Sequence, residues 1–368
     1  MRFIKFNKRT KKIKVSKNYL KSIGEYINLI KRKKLKTVYY NYEIKNPKIS
    51  FIITVFNKDK YLDSLILSIQ HQNIKEFEII FIDDCSTDKS VNIINYFSKF
   101  DRRIKLIKNK NNRGALYSRS QGALKSKGEY IIFVDSDDII LKEGIYNSYK
   151  YIKKNKLSMI QFNTIFQIND SLSLISRYYK YEKIIKQPIL SYIFYYNEKT
   201  KKARELNTAL WDKLIKQEIV IKALNFIGED FYKENIKIEN DIILLFSLFR
   251  MADSYQYINE TGYIYIRNHN DSITNNWQFR KNWRAVIHGV FVNINFFFIK
   301  TGNSFFDKSY CVFKLLQSFE RYKICYSEAK SEFTLIQKVL KKLLSSPYIS
   351  RSDKKSIYMI FDNNIMKF

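Results

Sequence analysis

Ile49-Ser50-Phe51-Ile52-Ile53-Thr54-Val55 is an uncharged apolar run rich in β-branched side chains, the pattern of a strand buried on both faces. Downstream, Leu62, Leu65, Ile66 and Ile69 recur at helical spacing, and Phe77-Glu78-Ile79-Ile80-Phe81-Ile82 reads as a second apolar strand. Ser86-Thr87-Asp88 supplies N-cap chemistry for a helix carrying Val91, Ile94 and Phe97, and a third strand follows near Ile104-Lys105-Leu106-Ile107. After the turn-rich stretch from Asn109 to Gly114 the pattern predicts a helix through Lys125, Gly128 as its C-cap, and a fourth strand, Tyr130-Ile131-Ile132-Phe133-Val134. Parallel strands need crossovers that helices usually provide. The predicted fold is therefore α/β, a mainly parallel sheet with helices on both faces.

The rest of the chain sets the bounds. Its 368 residues allow two or three domains, and 45% hydrophobic with 16% aromatic residues exclude a disordered chain. Nine Gly and three Pro exclude a collagenous one. Cys85, Cys311 and Cys325 are odd in number and lack metal-ligand spacing, so no disulfide framework or zinc finger is expected, and a reducing compartment is. The net charge of +31 favours anionic partners, although heavy use of Lys, Ile and Asn throughout suggests compositional bias as one source. Residues 1–45 hold 15 Lys and Arg against Glu25 and Glu43. Within this arm Leu20, Ile23, Ile27 and Ile30 form one apolar stripe, read as an amphipathic helix that packs on the main domain or, alternatively, attaches to an anionic membrane surface. No apolar run approaches the ~18 residues of a membrane span, and the arm lacks a signal-peptide core, so a cytoplasmic protein, at most peripheral at the membrane's cytoplasmic face, is expected.

In an open α/β sheet ligands gather at the carboxyl ends of the strands. Three polar clusters sit there: Thr54 and Asn57, then Asp83-Asp84, then Asp135-Ser136-Asp137-Asp138. Carboxylates this close repel one another, and a hard divalent cation, Mg²⁺ or Mn²⁺, removes that cost while drawing phosphate oxygens into its shell. A solvated acidic turn is the plainer alternative, but a position directly after the fourth apolar strand favours the metal. Asp83 and Asp84 either build a turn before Ser86-Thr87 or accept the imide N–H of a uracil and ribose hydroxyls. Arg119 offers bidentate hydrogen bonds to phosphate, a partner for these aspartates, or a plain surface charge.

Ile49 to Asn57, Ile82-Asp83-Asp84-Cys85-Ser86-Thr87-Asp88, Asn112-Arg113-Gly114 through Arg119 to Gly122, and Gly128-Glu129-Tyr130 running into Asp135-Ser136-Asp137-Asp138 together resemble the nucleotide-sugar-binding half of a family 2 glycosyltransferase of the GT-A fold. The resemblance implies that Thr54 and Phe56 line the base and ribose, that Asp84 meets the base, and that Asp135 and Asp137 hold the cation and diphosphate. Thr54 stands where the family commonly has proline, and Cys85 where glycine is common. Fainter likeness continues through Leu210-Trp211-Asp212-Lys213-Leu214 on the acceptor side and Tyr263-Ile264-Tyr265-Ile266-Arg267-Asn268-His269. Trp211 reads as packing or a sugar platform, and His269 as a diphosphate contact or a structural residue.

An inverting transferase needs a base to take the acceptor's proton. The family's Glu-Asp pair before an apolar helix matches Glu239-Asn240-Asp241 before Ile242-Ile243-Leu244-Leu245-Phe246, which points to Asp241, whereas Glu229-Asp230 precedes a poor helix core. The resemblance implies transfer from a nucleotide-diphosphate sugar, with an inclination to uridine, to an unspecified saccharide, lipid or protein acceptor. Phe56-Asn57-Lys58-Asp59-Lys60 lacks the glycines of a dinucleotide fold, and no P-loop is present. The competing class is an idle scaffold whose basic arm holds membrane or, less in keeping with the motifs, nucleic acid. The expected organisation is the arm (1–45), a nucleotide-sugar half (46–165), an acceptor half (166–275) and a helical region (276–368).

Overall fold

The computed structural model describes residues 17–32, 35–168, 171–175, 184–186, 194–197, 202–205, 209–233, 236, 240–266 and 296. His269 and the expected helical region from 276 lie outside the described residues, Phe296 excepted. Strands β1 (Ile49–Val55), β2 (Phe77–Asp83), β3 (Ile104–Lys108) and β4 (Tyr130–Asp135) match the four apolar runs. They pair in parallel in the order β3-β2-β1-β4. Beyond β4 the sheet becomes mixed. β11 (Lys213–Lys216) runs antiparallel to both β4 and β6 (Met159–Ile168), while β12 (Ser254–Ile266) is parallel to β6 and antiparallel to the short β5 (Ile139–Ile140). One sheet thus runs through both expected halves, and β6 crosses residue 165 without a break.

Alternation along each buried strand divides two cores between the sheet faces. Ile52, Ile80, Ile82, Ile131 and Phe133 pack on helices Ala115–Lys125, Gln217–Ile227 and Asn240–Met251. Phe51, Ile53, Ile79, Phe81, Ile132 and Val134 pack on Asp59–Gln70, Ser90–Ser98 and Gly144–Lys154. Helices on both faces follow from that division.

The arm helix, Lys17–Lys31, buries Ile23, Ile27 and Ile30 against Ile139, Leu141, Ile165 and Ile264. Each fully buried isoleucine contributes roughly 1.5–3 kcal/mol. The apolar stripe is therefore occupied by protein, which is the packing alternative; among the described residues no helix is long and apolar enough to cross a membrane.

Two local expectations are corrected. Gly128 is not a C-cap, because the helix ends at Lys125 with Ser126 extended; a Cβ at Gly128 would meet Ser50 Oγ at 2.4 Å, so glycine lets the chain cross β1 closely. Ser86 and Thr87 do not cap the next helix but bond to Asn57, and Asp88 alone accepts the Ser90 N–H at 2.9 Å.

Candidate active site

The carboxyl ends of β1, β2 and β4 lie side by side, since Thr54 is in register with both Ile82 and Asp135. Thr54 is half-buried there, and the next residue but one, Phe56, is 47% exposed at the strand mouth. Two loops frame this mouth. Asn57, in the left-handed region at φ 52°, donates its N–H to Ser86 Oγ at 3.0 Å and accepts the Thr87 N–H on Oδ1 at 2.8 Å. Its backbone N–H and side-chain oxygen stitch the β1 turn to the β2 turn. Cys85 has φ 69°, which explains why glycine suits that turn.

The adjacent aspartates part company. Asp83 is 3% exposed and turns to the Ser86 N–H at 3.3–3.4 Å, the contact of the turn-building alternative. Asp84 accepts Asn109 Nδ2 and the Arg113 N–H on Oδ1 and the Gly114 N–H on Oδ2, each at 2.8 Å. Three N–H donors fill three of about four acceptor positions on a carboxylate. Asp84 therefore anchors the loop that starts the Ala115–Lys125 helix, and Gly114, at φ 83°, supplies the conformation that aims its N–H inward.

Arg119 lies on that helix, 6% exposed, and pairs with neither Asp83 nor Asp84. One guanidinium nitrogen donates to Asp135 Oδ1 at 3.1 Å and the other to Asp241 Oδ1. Burial opposes its charge, but Asp241 and Asp135 outweigh that and hold its pKa above the ordinary value. The bridge joins the end of β4 to the first turn of Asn240–Met251, 106 residues apart in sequence, as the two short ladders β4–β11–β6 bring that helix over the sheet. Asp230 sits exposed on the short helix Glu229–Tyr232.

Asp135 is 32% exposed, yet the surrounding protein strips enough water that desolvation raises its pKa; Arg119 counters this, Asp241 and Asp137 add to it, and the net value is pushed up to about 6. Asp137 meets Lys58 Nζ at 2.7 Å. Ser136, between them, is buried. Asp138 points the other way: its carboxylate accepts Tyr263 OH at 2.7 Å and the Ile266 N–H at 2.8 Å, and burial together with Asp137 and Asp135 raises its pKa well above the carboxylate range. Tyr263 in turn accepts the Asp135 N–H at 3.1 Å. Its hydroxyl thus fixes the backbone at one candidate ligand through a buried carboxylate that is not one.

Asp135 and Asp137 are hard oxygen donors set in surplus negative charge, a donor set that fits Mg²⁺ or Mn²⁺ with phosphate oxygens completing the shell. Among the described residues no group of three or more His, Cys, Asp or Glu side chains forms a complete protein cage.

Two residues of the acceptor-side stretch are buried. Trp211 is 8% exposed and stacks on Tyr263 and Tyr265, with centroids at 4.8 and 5.5 Å, the contacts of a packing residue. Lys213 is fully buried, its ammonium donating to the Ala209 carbonyl and to Asp212 at 2.6 Å each. Lys58 and Tyr263 are the residues that sequence reasoning passed over. In the sequence Lys58 marks only the lack of a glycine in its turn, and a tyrosine in an apolar strand signals packing before it signals a hydroxyl.

The glycosyl transferase family 2 profile matches residues 50–212. An uncharacterized glycosyltransferase of Haemophilus influenzae is 40% identical over 120 residues, 33% of this chain and 48% of that protein. The cholesterol galactosyltransferase of Borreliella burgdorferi is 29% identical over 220 residues, 59% of each chain. The chain thus spans about half the length of these curated relatives. The crystal structure of S. aureus TarS 1–349 in complex with UDP superposes with a TM-score of 0.54 at 16% identity, covering 87% of this chain and 88% of that one, a likeness of fold.

Proposed function

From a chain whose residues 50–212 match the glycosyl transferase family 2 profile, we propose an inverting transferase that moves a sugar from a uridine-diphosphate donor to an acceptor hydroxyl. The observation that carries this reading is the Arg119 guanidinium held between Asp135 and Asp241, because it places a carboxylate suited to base catalysis within one residue's reach of the carboxylate suited to a cation. The donor class is supported by the TarS structures, which are complexes with UDP and with UDP-GlcNAc.

In this reading Thr54 and Phe56 flank the base and ribose, and Asp84 offers its remaining acceptor position to the base. Asp135 and Asp137 hold Mg²⁺ or Mn²⁺, which when bound supplies positive charge for the leaving diphosphate. Arg119 occupies Asp241 Oδ1 and leaves Oδ2 to take the acceptor's proton. As that proton leaves, the acceptor oxygen forms a bond to the anomeric carbon from the face opposite the diphosphate. The bond to the diphosphate oxygen breaks with its electron pair on that oxygen, so an α-linked donor yields a β-linked product.

Thermal unfolding with a panel of nucleotide diphosphates and nucleotide sugars, with and without Mn²⁺, tests the reading. A ligand at ~100 times its dissociation constant adds roughly 2.7 kcal/mol of stability. Uridine nucleotides should give that shift with Mn²⁺, and Asp137→Ala should lose its Mn²⁺-dependent part. No shift with any nucleotide would leave an idle scaffold.

A further inference from the structure

Lys58 ends the turn between β1 and helix Asp59–Gln70, and its position is built rather than incidental. Its backbone N–H donates to Ser90 Oγ at 2.9 Å, and the Asn57 before it is pinned to the Ser86-Thr87 turn. From this braced backbone the side chain crosses to the end of β4, where Nζ lies 2.7 Å from Asp137 Oδ2 and 5.5 Å from the Tyr61 ring centroid. The two side chains are 16% and 19% exposed, so the pair is largely removed from solvent screening.

We propose that the Lys58 ammonium is a built-in competitor for the divalent cation at Asp137, so that metal enters this cleft together with the diphosphate donor and not ahead of it. The inference rests on the donor and metal reading above. A metal ion at Asp137 would meet a positive charge already hydrogen-bonded to the ligand oxygen, in surroundings where charges interact more strongly than in water. A diphosphate changes that balance, because its oxygens accept the ammonium's rotatable donors and its negative charge compensates the second cation. Lys58 then leaves the carboxylate for the phosphate as the ion takes its place. Such a device offsets the charge of Asp137 when the cleft is empty and makes metal affinity report donor occupancy.

The test is Mn²⁺ binding by the full chain, followed by the loss of the free-ion EPR signal, first without nucleotide and then with UDP. One opposite charge within ~4–6 Å shifts a carboxylate's equilibrium by one to three decades, so Lys58→Met should tighten nucleotide-free Mn²⁺ binding by about tenfold or more. By linkage the extra tightening that UDP confers should shrink by the same factor. Lys58→Arg, which keeps the charge, should stay near the parent, and Asp137→Asn placed on Lys58→Met should erase the gain. Equal nucleotide-free affinity in the parent and Lys58→Met, with UDP still tightening both, would overturn the competition while leaving the metal reading intact. Absence of Mn²⁺ binding with and without UDP in every variant would overturn both. Circular dichroism of each variant guards against a folding artefact.

Discussion

Two arginine–aspartate clusters stand at opposite ends of the parallel strands, and they solve the same electrostatic problem differently. Before β3, Arg103 grips Asp101 with Nε and Nη2 at 2.8 Å each, and Gln70 Nε2 adds a third donor at 2.9 Å. Tyr40 and Phe77 each lie 4.0 Å from the guanidinium, and both charged side chains are 0% exposed. One cation meets one anion, every strong bond is satisfied, and the cluster ties the strap around Tyr40 to the sheet. After β4, Arg119 and Lys58 face Asp135, Asp137 and Asp241, and Asp135 and Asp241 keep about a third of their surface open. A closed neutral pair builds the fold; an open cluster with surplus negative charge needs something from outside. Residue type alone does not separate them.

The largest expected effect comes from the open cluster. Asp241→Asn keeps the shape of the side chain and removes its proton acceptor, so turnover should fall ~10²–10⁴-fold while donor affinity, measured by calorimetry, is retained. Near-normal turnover would break the comparison by making this cluster structural too. At the closed end, Arg103→Met leaves Asp101 buried without its partner and should cost about 3–5 kcal/mol in chemical denaturation. UDP affinity of the folded fraction should not change; a matching loss there would show the two ends to be coupled.

Smaller effects sharpen the boundary of the open cluster. Tyr263→Phe deletes the hydroxyl between Asp135 N–H and the buried Asp138, leaving unsatisfied groups at a cost of roughly 1–3 kcal/mol of stability. It should also weaken Mn²⁺-dependent UDP binding, since the Asp135 backbone loses its tether. Smallest of all, Asp230→Asn should leave turnover and stability near the parent because its side chain is exposed on a short helix. A dead Asp230→Asn with an active Asp241→Asn would exchange the two assignments.

Much of this was legible in the chain. Ile49–Val55, Phe77–Asp83 and Tyr130–Asp135 announce themselves because strands buried on both faces must be apolar throughout, and the polar residues at their ends then mark the ligand side of the sheet. Residue type without direction does not tell where a side chain goes. Lys213 and Trp211 carry ligand-like chemistry, yet β11 enters the sheet between β4 and β6, with Trp211 just ahead of it, and both side chains are buried. The antiparallel insertion itself left no pattern, since a four-residue strand is too short for periodicity to show.

The sequence by itself determined the alternation of elements, the two core faces and the placing of three polar clusters at strand ends, because hydrophobic periodicity and turn chemistry act between residues near in the chain. Only the tertiary structure decided that Arg119 joins Asp135 to Asp241, that Lys58 meets Asp137, and that Asp138 turns away to Tyr263. Those pairings span 16 to 125 residues and depend on Coulomb attraction and hydrogen-bond direction across a few ångströms. Such forces act through space, and distance in space exists only once the sheet has closed.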